Sequence, residues 1–205
     1  MKKENSDIEV TENNKKNRLL DTAFKLFTER GIKDTSIQEI VDNANVAKGT
    51  FYLYFKDKYE IRDILIAKKS HKLFSDALCE LHKNYIYDLS DQVIFIINYV
   101  IDELSKAPTL LKFISKNLSW GIYSQTFLKL YEQEGKSEDS VYKLFLKGAA
   151  QENIKDPEVT LYMIIELVSS TCFNSIIYKQ PLSIEEFKPY LYQTIKLLIN
   201  SKKVN

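Results

Sequence analysis

The sequence predicts an all-α protein, with a three-helix N-terminal domain over residues 13–57 and a larger helical bundle over 58–205. Three observations support this. Apolar residues recur at spacings of three and four rather than two along most of the 205 residues. Helix-start signals recur between these stretches. Glycine and proline number only five and four, too few for the tight turns of a sandwich or barrel. At 44% hydrophobic and 28% charged, the chain is long enough to bury a sizeable core.

Residues 1–12 are charged and polar without periodicity, which predicts disorder. A helix is expected from Asn13 or Asn14. Leu20, Ala23, Phe24 and Phe27 give it one apolar face, and Gly31 stands where a left-handed terminating residue is needed. Thr35, with Gln38 as its capping-box partner, is expected to open a second helix to Asn43, with Ile37, Ile40, Val41 and Ala44 inward. Asn45 suits the left-handed position of a turn. A third helix, Lys48 to Phe55, stacks Phe51 on Phe55. Asp57 then caps a fourth helix, paired with Glu60 and reaching about Lys83.

Further helices are expected near 90–105, 108–118, 120–133, 137–151, 156–179 and 183–201. Pro108 and Asp156-Pro157 mark helix starts, and Ser183 with Glu186 forms another capping box. Pro189 should kink the last helix or delay its regular start.

Net charge is +1, so no basic excess marks the chain as a nucleic-acid binder, and any such role rests on local features. Cys79 and Cys172 are too few and too distant for a disulfide framework. The polar N-terminus has no apolar leader core. No stretch offers the roughly eighteen uninterrupted apolar residues of a membrane span, since 161–178 is broken by Glu166 and by Ser169, Ser170 and Thr171. These features predict a cytoplasmic protein with no membrane partner. His71 and His82 lie about 16 Å apart along one helix and cannot chelate one metal. Cys79 and His82, at i and i+3, would be half a zinc site with no second half. No catalytic triad order, phosphate-cradling glycine loop or paired carboxylates stand out, so no enzyme activity, cofactor or metal is expected.

The chemistry concentrates in the second and third helices. Two short helices joined by a tight turn make a helix-turn-helix, whose second helix fits a major groove. Gly49, Thr50 and Leu53 lie farthest from the Phe51/Phe55 face, with Tyr52 and Tyr54 beside them. From Ala44 to Lys56 there is no acidic residue, while Lys48, Lys56 and Lys58 are positive. Lys56 reads equally well as solvated surface. A segment aimed at phosphates would look like this, because a carboxylate facing a phosphate is costly.

The run Thr35-Ser36-Ile37-Gln38-Glu39-Ile40, then Ala44-Asn45-Val46-Ala47-Lys48-Gly49-Thr50-Phe51-Tyr52-Leu53-Tyr54-Phe55 and Lys58-Tyr59-Glu60-Ile61, resembles the tetracycline-repressor (TetR) family signature. Ala23 to Phe27 and Gly31 match that family's first helix, and the likeness covers roughly 18–65. The resemblance implies a dimeric repressor that binds an operator in double-stranded DNA. Thr50, Tyr52 and Lys58 would touch phosphates, and Gly49 and its neighbours would approach base edges. Thr35, Ser36, Lys48, Leu53 and Tyr54 complete the expected DNA-binding set. The family usually has Gly where Asn45 stands and a hydroxyl cap where Ala47 stands; the second departure removes a cap.

The remaining two-thirds carries no signature of its own. Its aromatics read equally as bundle core. The resemblance implies an effector cavity, which would be lined by some of Phe95, Tyr99, Phe113, Trp120, Tyr123 and Phe127 and suit a small apolar or aromatic ligand. The alternative is a regulator controlled by a protein partner, or constitutive, with a filled core. A homodimer through the last two helices is expected. The 156–179 helix is apolar on most sides and needs covering, and Phe187, Leu191, Ile195 and Leu198 offer a second stripe. Two recognition helices would then enter successive major grooves about 34–36 Å apart.

Overall fold

The computed structural model describes residues 2–115 and 140–204, with side chains from Asn14 onward. It holds α1 (Lys2–Arg30), α2 (Ile37–Ala44), α3 (Lys48–Tyr54), α4 (Lys58–His82), α5 (Leu89–Lys106) and α6 (Pro108–Ile114), then α7 (Val141–Gln151), α8 (Pro157–Ile177) and α9 (Ile184–Asn200). Among the described residues the pairing outside helices is one isolated antiparallel bridge, Ile154 with Lys203. The expected helix over 120–133 and the start of the one over 137–151 lie outside the described residues.

The chain divides into two compact units, Met1–Leu65 and Ile66–Asn205. The division falls inside α4, later than the expected boundary at 57/58, because Ile61 and Leu65 near the start of α4 are buried core residues.

In the first unit, α1 begins at Lys2, so the disorder expected over 1–12 is a correction. Lys2, Lys3, Glu4, Glu9 and Glu12 have good helix propensity, and no glycine or proline interrupts the stretch. Extending an existing helix costs far less than nucleating one. Leu19, Leu20, Ala23, Leu26 and Phe27 of α1 are buried, a wider stripe than the sequence pattern gave. Gly31 terminates α1 with φ 92°, as expected.

The cap of α2 is a second correction. Ser36, not Thr35, is the N-cap, and its box partner is Glu39. The Ser36 hydroxyl accepts from the Glu39 N–H at 3.1 Å, and the Ser36 N–H donates to Glu39 Oε2 at 2.8 Å. Thr35 is turned inward, 1% exposed, and its Oγ1 donates to the Gly31 carbonyl at 2.8 Å. Both hydroxyls could cap; the inward one is spent on closing the loop.

In the second unit, α5, α7, α8 and α9 surround one apolar core that includes Ile101, Ile114, Phe145, Ile164, Leu191 and Ile195. Gly148 of α7 lets that helix approach Leu89 at the start of α5, since a Cβ there would stand 2.7 Å from Leu89 Cδ1. α8 has a mean hydropathy of 1.4, enough by length and composition to cross a membrane, yet Leu161, Ile164, Ile165, Val168 and Cys172 form part of this core. α9 starts at Ile184 behind its Ser183–Glu186 box, so Pro189 does not delay it. A polar line joins α5 to α9. The Tyr192 hydroxyl donates to Asn98 Oδ1 at 2.6 Å, and the Lys188 ammonium reaches Asp102 at 2.7 Å and Glu185 at 2.9 Å. Burial pushes the Tyr192 phenol up to about 12, so it stays a donor.

Candidate nucleic-acid interface

The helix-turn-helix is built from a left-handed residue and a buried aromatic pair. Asn45 takes φ 51°, ψ 54°, and its N–H donates to the Asp42 and Val41 carbonyls. Asparagine tolerates this region better than a branched residue would. Val46 N–H then reaches Val41 O at 3.0 Å, which folds the chain back against α2. α3 opens at Ala47 with no side-chain cap, as the missing hydroxyl foretold. Its register comes from packing instead. Phe51 is 0% exposed and Phe55 is 2% exposed, with ring centroids 5.7 Å apart. Ile40, Val41 and Ala44 of α2 are buried, while Ile37 is half-buried.

With Phe51 and Phe55 inward, the other side of α3 must face out. Leu53 is 79% exposed and Tyr52 54% exposed. Lys48 and Gly49 are exposed, and Thr50 and Tyr54 are half-buried. A Cβ at Gly49 would meet no atom within 4 Å, so the glycine leaves open space at the surface. Lys48, Gly49, Tyr52 and Leu53 are the exposed members of the α3 set expected to meet DNA, while Thr50 and Tyr54 lie at its half-buried flanks. Ser36 is exposed but engaged in its box, and Thr35 is buried.

Lys58 is placed differently from the rest. Its ammonium donates to the Thr35 carbonyl at 2.8 Å and to the Lys33 carbonyl at 3.0 Å, so it ties the first turn of α4 to the loop before α2. Asp57 caps α4 by accepting from the Glu60 N–H at 2.8 Å, while the Glu60 carboxylate accepts from Lys56 N–H rather than closing a reciprocal box. Arg30 bridges Glu39 at 2.6 Å across α1 and α2. Hydrogen bonds from Ser36, with Arg30 a lesser cause, hold the Glu39 carboxyl below its usual range. Sequence reasoning missed Tyr59. Its exposed ring has the Arg62 guanidinium 5.4 Å and the Lys58 ammonium 5.7 Å from the centroid. An arginine three residues after an aromatic at a helix start was the available signal.

Residues 19–63 match the model of the "Bacterial regulatory proteins, tetR family". The likeness to that family is carried by these N-terminal residues. This regulator shares 46% identity over 46 residues with the uncharacterized HTH-type regulator YerO of Bacillus subtilis, which is 22% of this chain and only 16% of that relative. YhgD of the same organism is 27% identical over 173 residues, 78% of this chain and 83% of the relative. Among solved structures, the regulator FadR of Bacillus subtilis in complex with stearoyl-CoA superposes with a TM-score of 0.59 at 18% identity, covering 89% of this chain and 96% of that one. At that identity the likeness concerns the fold. The first unit thus carries a helix-turn-helix of the kind found in these transcriptional regulators.

The expected effector residues divide. Trp120, Tyr123 and Phe127 lie outside the described residues. Phe95, Tyr99 and Phe113 are half-buried and pack against the second unit's core. Among the described residues a partly open apolar pocket of about 40 Å³ has walls that include Phe74, Ile97, Val141, Phe145, Leu161 and Ile165, and a more open one of about 500 Å³ lies by Leu146, Ile154, Pro157 and Val159. Among the described residues no cluster of three or more His, Cys, Asp or Glu is placed to hold a metal.

The expected dimer stripe on the last helix is also corrected. Leu191 and Ile195 are 1% and 0% exposed, inside the subunit's own core. The pattern of α9 has two apolar sides, and the more continuous one faces inward. Tyr190 and Leu197, each 63% exposed, mark the outer side, and Val159, Tyr162 and Met163 mark that of α8.

Proposed function

We propose that this regulator represses transcription in the cytoplasm by binding, as a homodimer, a palindromic operator in double-stranded DNA. Lys48, Gly49, Thr50, Tyr52, Leu53 and Tyr54 would meet the operator, with Leu53 against a thymine methyl. The observation that carries this reading is the exposure of Tyr52 and Leu53 on a helix whose opposite face is closed by Phe51. A leucine this exposed is free to enter a groove. The dimer would form through the outer faces of α8 and α9, because exposed Val159, Tyr162, Met163, Tyr190 and Leu197 favour cover by a second copy.

The test is selection of duplexes from a random pool with the full-length protein, followed by sedimentation of the complex. A palindromic consensus bound by two chains is expected. A monomer at micromolar concentration binding one-to-one would overturn the dimer, and no enriched sequence would overturn the operator.

Release by a small apolar or aromatic ligand in the second unit is the regulatory part of the proposal. It is supported by the wholly apolar walls of the cavity near Phe145. A second reading, control by a protein partner or none, is favoured by the size of that cavity. About 40 Å³ is far below the roughly 300–1,000 Å³ of ordinary ligand pockets. Trp120 is the only tryptophan, so quenching of its emission by a hydrophobic ligand library, together with loss of DNA, separates the two.

A further inference from the structure

We infer that a polar seam between α5 and α9 fixes the rotation of α9 about its axis, and thereby selects the face that this helix offers to a second copy of the chain. This rests on the homodimer reading above. On α5, Asp91, Asn98 and Asp102 recur at helical spacing, and on α9 Lys188, Tyr192 and Lys196 do the same, so each set lies on one helix face. The two faces meet in antiparallel order. Lys188 Nζ stands 2.7 Å from Asp102 Oδ1, the Tyr192 hydroxyl donates to Asn98 Oδ1 at 2.6 Å, and Lys196 Nζ stands 2.7 Å from Asp91 Oδ1. Within α5, Asn98 Nδ2 donates to Asp102 Oδ2 at 3.0 Å and joins the first two pairs into one chain. In these pairs every donor belongs to α9 and every acceptor to α5, so the match has a direction. Beyond the helix, Lys203 reaches Glu152 at 2.9 Å, and Glu152 Oε1 accepts from the Leu89 N–H at the start of α5.

Apolar packing leaves a choice that the seam removes. The inward side of α9 carries Leu191, Ile195 and Ile199, all buried. A second apolar side carries Phe187, Tyr190, Leu197 and Leu198, of which Tyr190 and Leu197 are exposed. About one residue of rotation, roughly 100°, separates the two sides. Such a rotation would trade one apolar stripe for another, but it would strip the partners from all these pairs at once. The Lys188 side chain is 12% exposed, so its ammonium has little water to turn to. A shielded polar group left without a partner is costly. Shielded ion pairs add little net stability over apolar replacements, and their best-attested use is to fix register. The seam therefore acts on which arrangement forms more than on how stable it is. It leaves Tyr190 and Leu197 outward, as Val159, Tyr162 and Met163 of α8 are.

Two measurements on the full chain test this. Sedimentation equilibrium gives the dimer dissociation constant. The buried Cys172 of α8, which lies within electrostatic reach of Lys188 and Tyr192, reports on the packing of α9 by its rate of reaction with a thiol reagent. Replacing Lys188 by Met and Asp102 by Leu together removes the ion pair and keeps apolar volume. The dissociation constant should rise about tenfold and Cys172 should react several-fold faster, with the thermal midpoint close to that of the wild type. Lys188→Arg should behave as wild type, because a guanidinium can pair with the same carboxylate. Tyr190→Ala with Leu197→Ala removes the outer face itself, and should weaken the dimer while Cys172 stays protected. A Lys188→Met, Asp102→Leu protein that dimerises like wild type, with Cys172 still protected, overturns the inference and leaves the dimer reading intact. So does a dimer weakened only in step with a large fall in thermal midpoint. If that variant does not fold, Tyr192→Phe decides by the same measurements, with a dimer about threefold weaker expected and an unchanged one contrary to the inference. A wild-type protein that stays monomeric at micromolar concentration overturns the dimer reading and this inference together.

Discussion

The two units expose apolar side chains in different company. In the first, Tyr52 and Leu53 are exposed within one short stretch, beside Lys48 and Lys56 and with no acid from Ala44 to Lys56. In the second, Val159, Tyr162 and Met163 are exposed next to Glu158 and Glu166, and Tyr190 lies one turn from Glu186. The contrast separates two kinds of partner. Aromatic and aliphatic groups among lysines suit a polyanion with readable grooves, while the same groups among carboxylates would be repelled by it and suit another protein surface.

The largest expected effects compare two phenylalanines, each 0% exposed. Phe51→Ala and Phe145→Ala should each cost about 3–5 kcal/mol of stability. If the units divide the work as described, only Phe51→Ala abolishes DNA binding at temperatures where the protein stays folded. Phe145→Ala should enlarge the apolar cavity and leave DNA affinity within a few-fold. Thermal unfolding alongside DNA titration reads both. Equal loss of DNA binding would break the comparison.

A smaller effect comes from two glycines. Gly148→Ala must displace Leu89, which is 1% exposed, and should cost about 1–3 kcal/mol. Gly49→Ala meets no neighbour and should stabilise the helix by about 0.5–1 kcal/mol while weakening DNA binding, because the added methyl projects toward the groove. Opposite signs for stability, and the reverse order for DNA affinity, are the expected outcome in denaturant unfolding and duplex titration.

The smallest effect is chemical. Burial pushes the Cys172 thiol up to about 12, so at pH 8 it remains protonated and unreactive, whereas Cys79 is exposed. One equivalent of a thiol reagent should react quickly, at Cys79, and the second only on unfolding. Fast reaction of both would mean that the core around α8 opens readily.

The first unit was legible in the sequence because local rules govern it. The left-handed Gly31 and Asn45, the uncapped Ala47 and the Phe51/Phe55 pair all follow from nearest-neighbour chemistry. The missed cap shows the limit. Thr35 and Ser36 are equivalent hydroxyls until the loop turns Thr35 toward Gly31 O, in a loop that also meets the Lys58 ammonium more than twenty residues on. The second unit depends on which of several apolar faces turns inward. α9 presents Leu191 and Ile195 on one side and Tyr190 and Leu197 on another, and periodicity cannot choose between them.

The central claim is that the outward face of α3 meets DNA, and replacing Tyr52 and Leu53 together by Ala tests it most directly. Leu53 is solvated and Tyr52 meets the core only through an edge contact with Phe51, so the thermal midpoint should fall by no more than about 4 °C. Affinity for the duplex selected by the wild-type protein should fall by about two orders of magnitude, from two lost groove contacts in each subunit of the dimer. A double variant that folds normally and binds that duplex with wild-type affinity would contradict the claim.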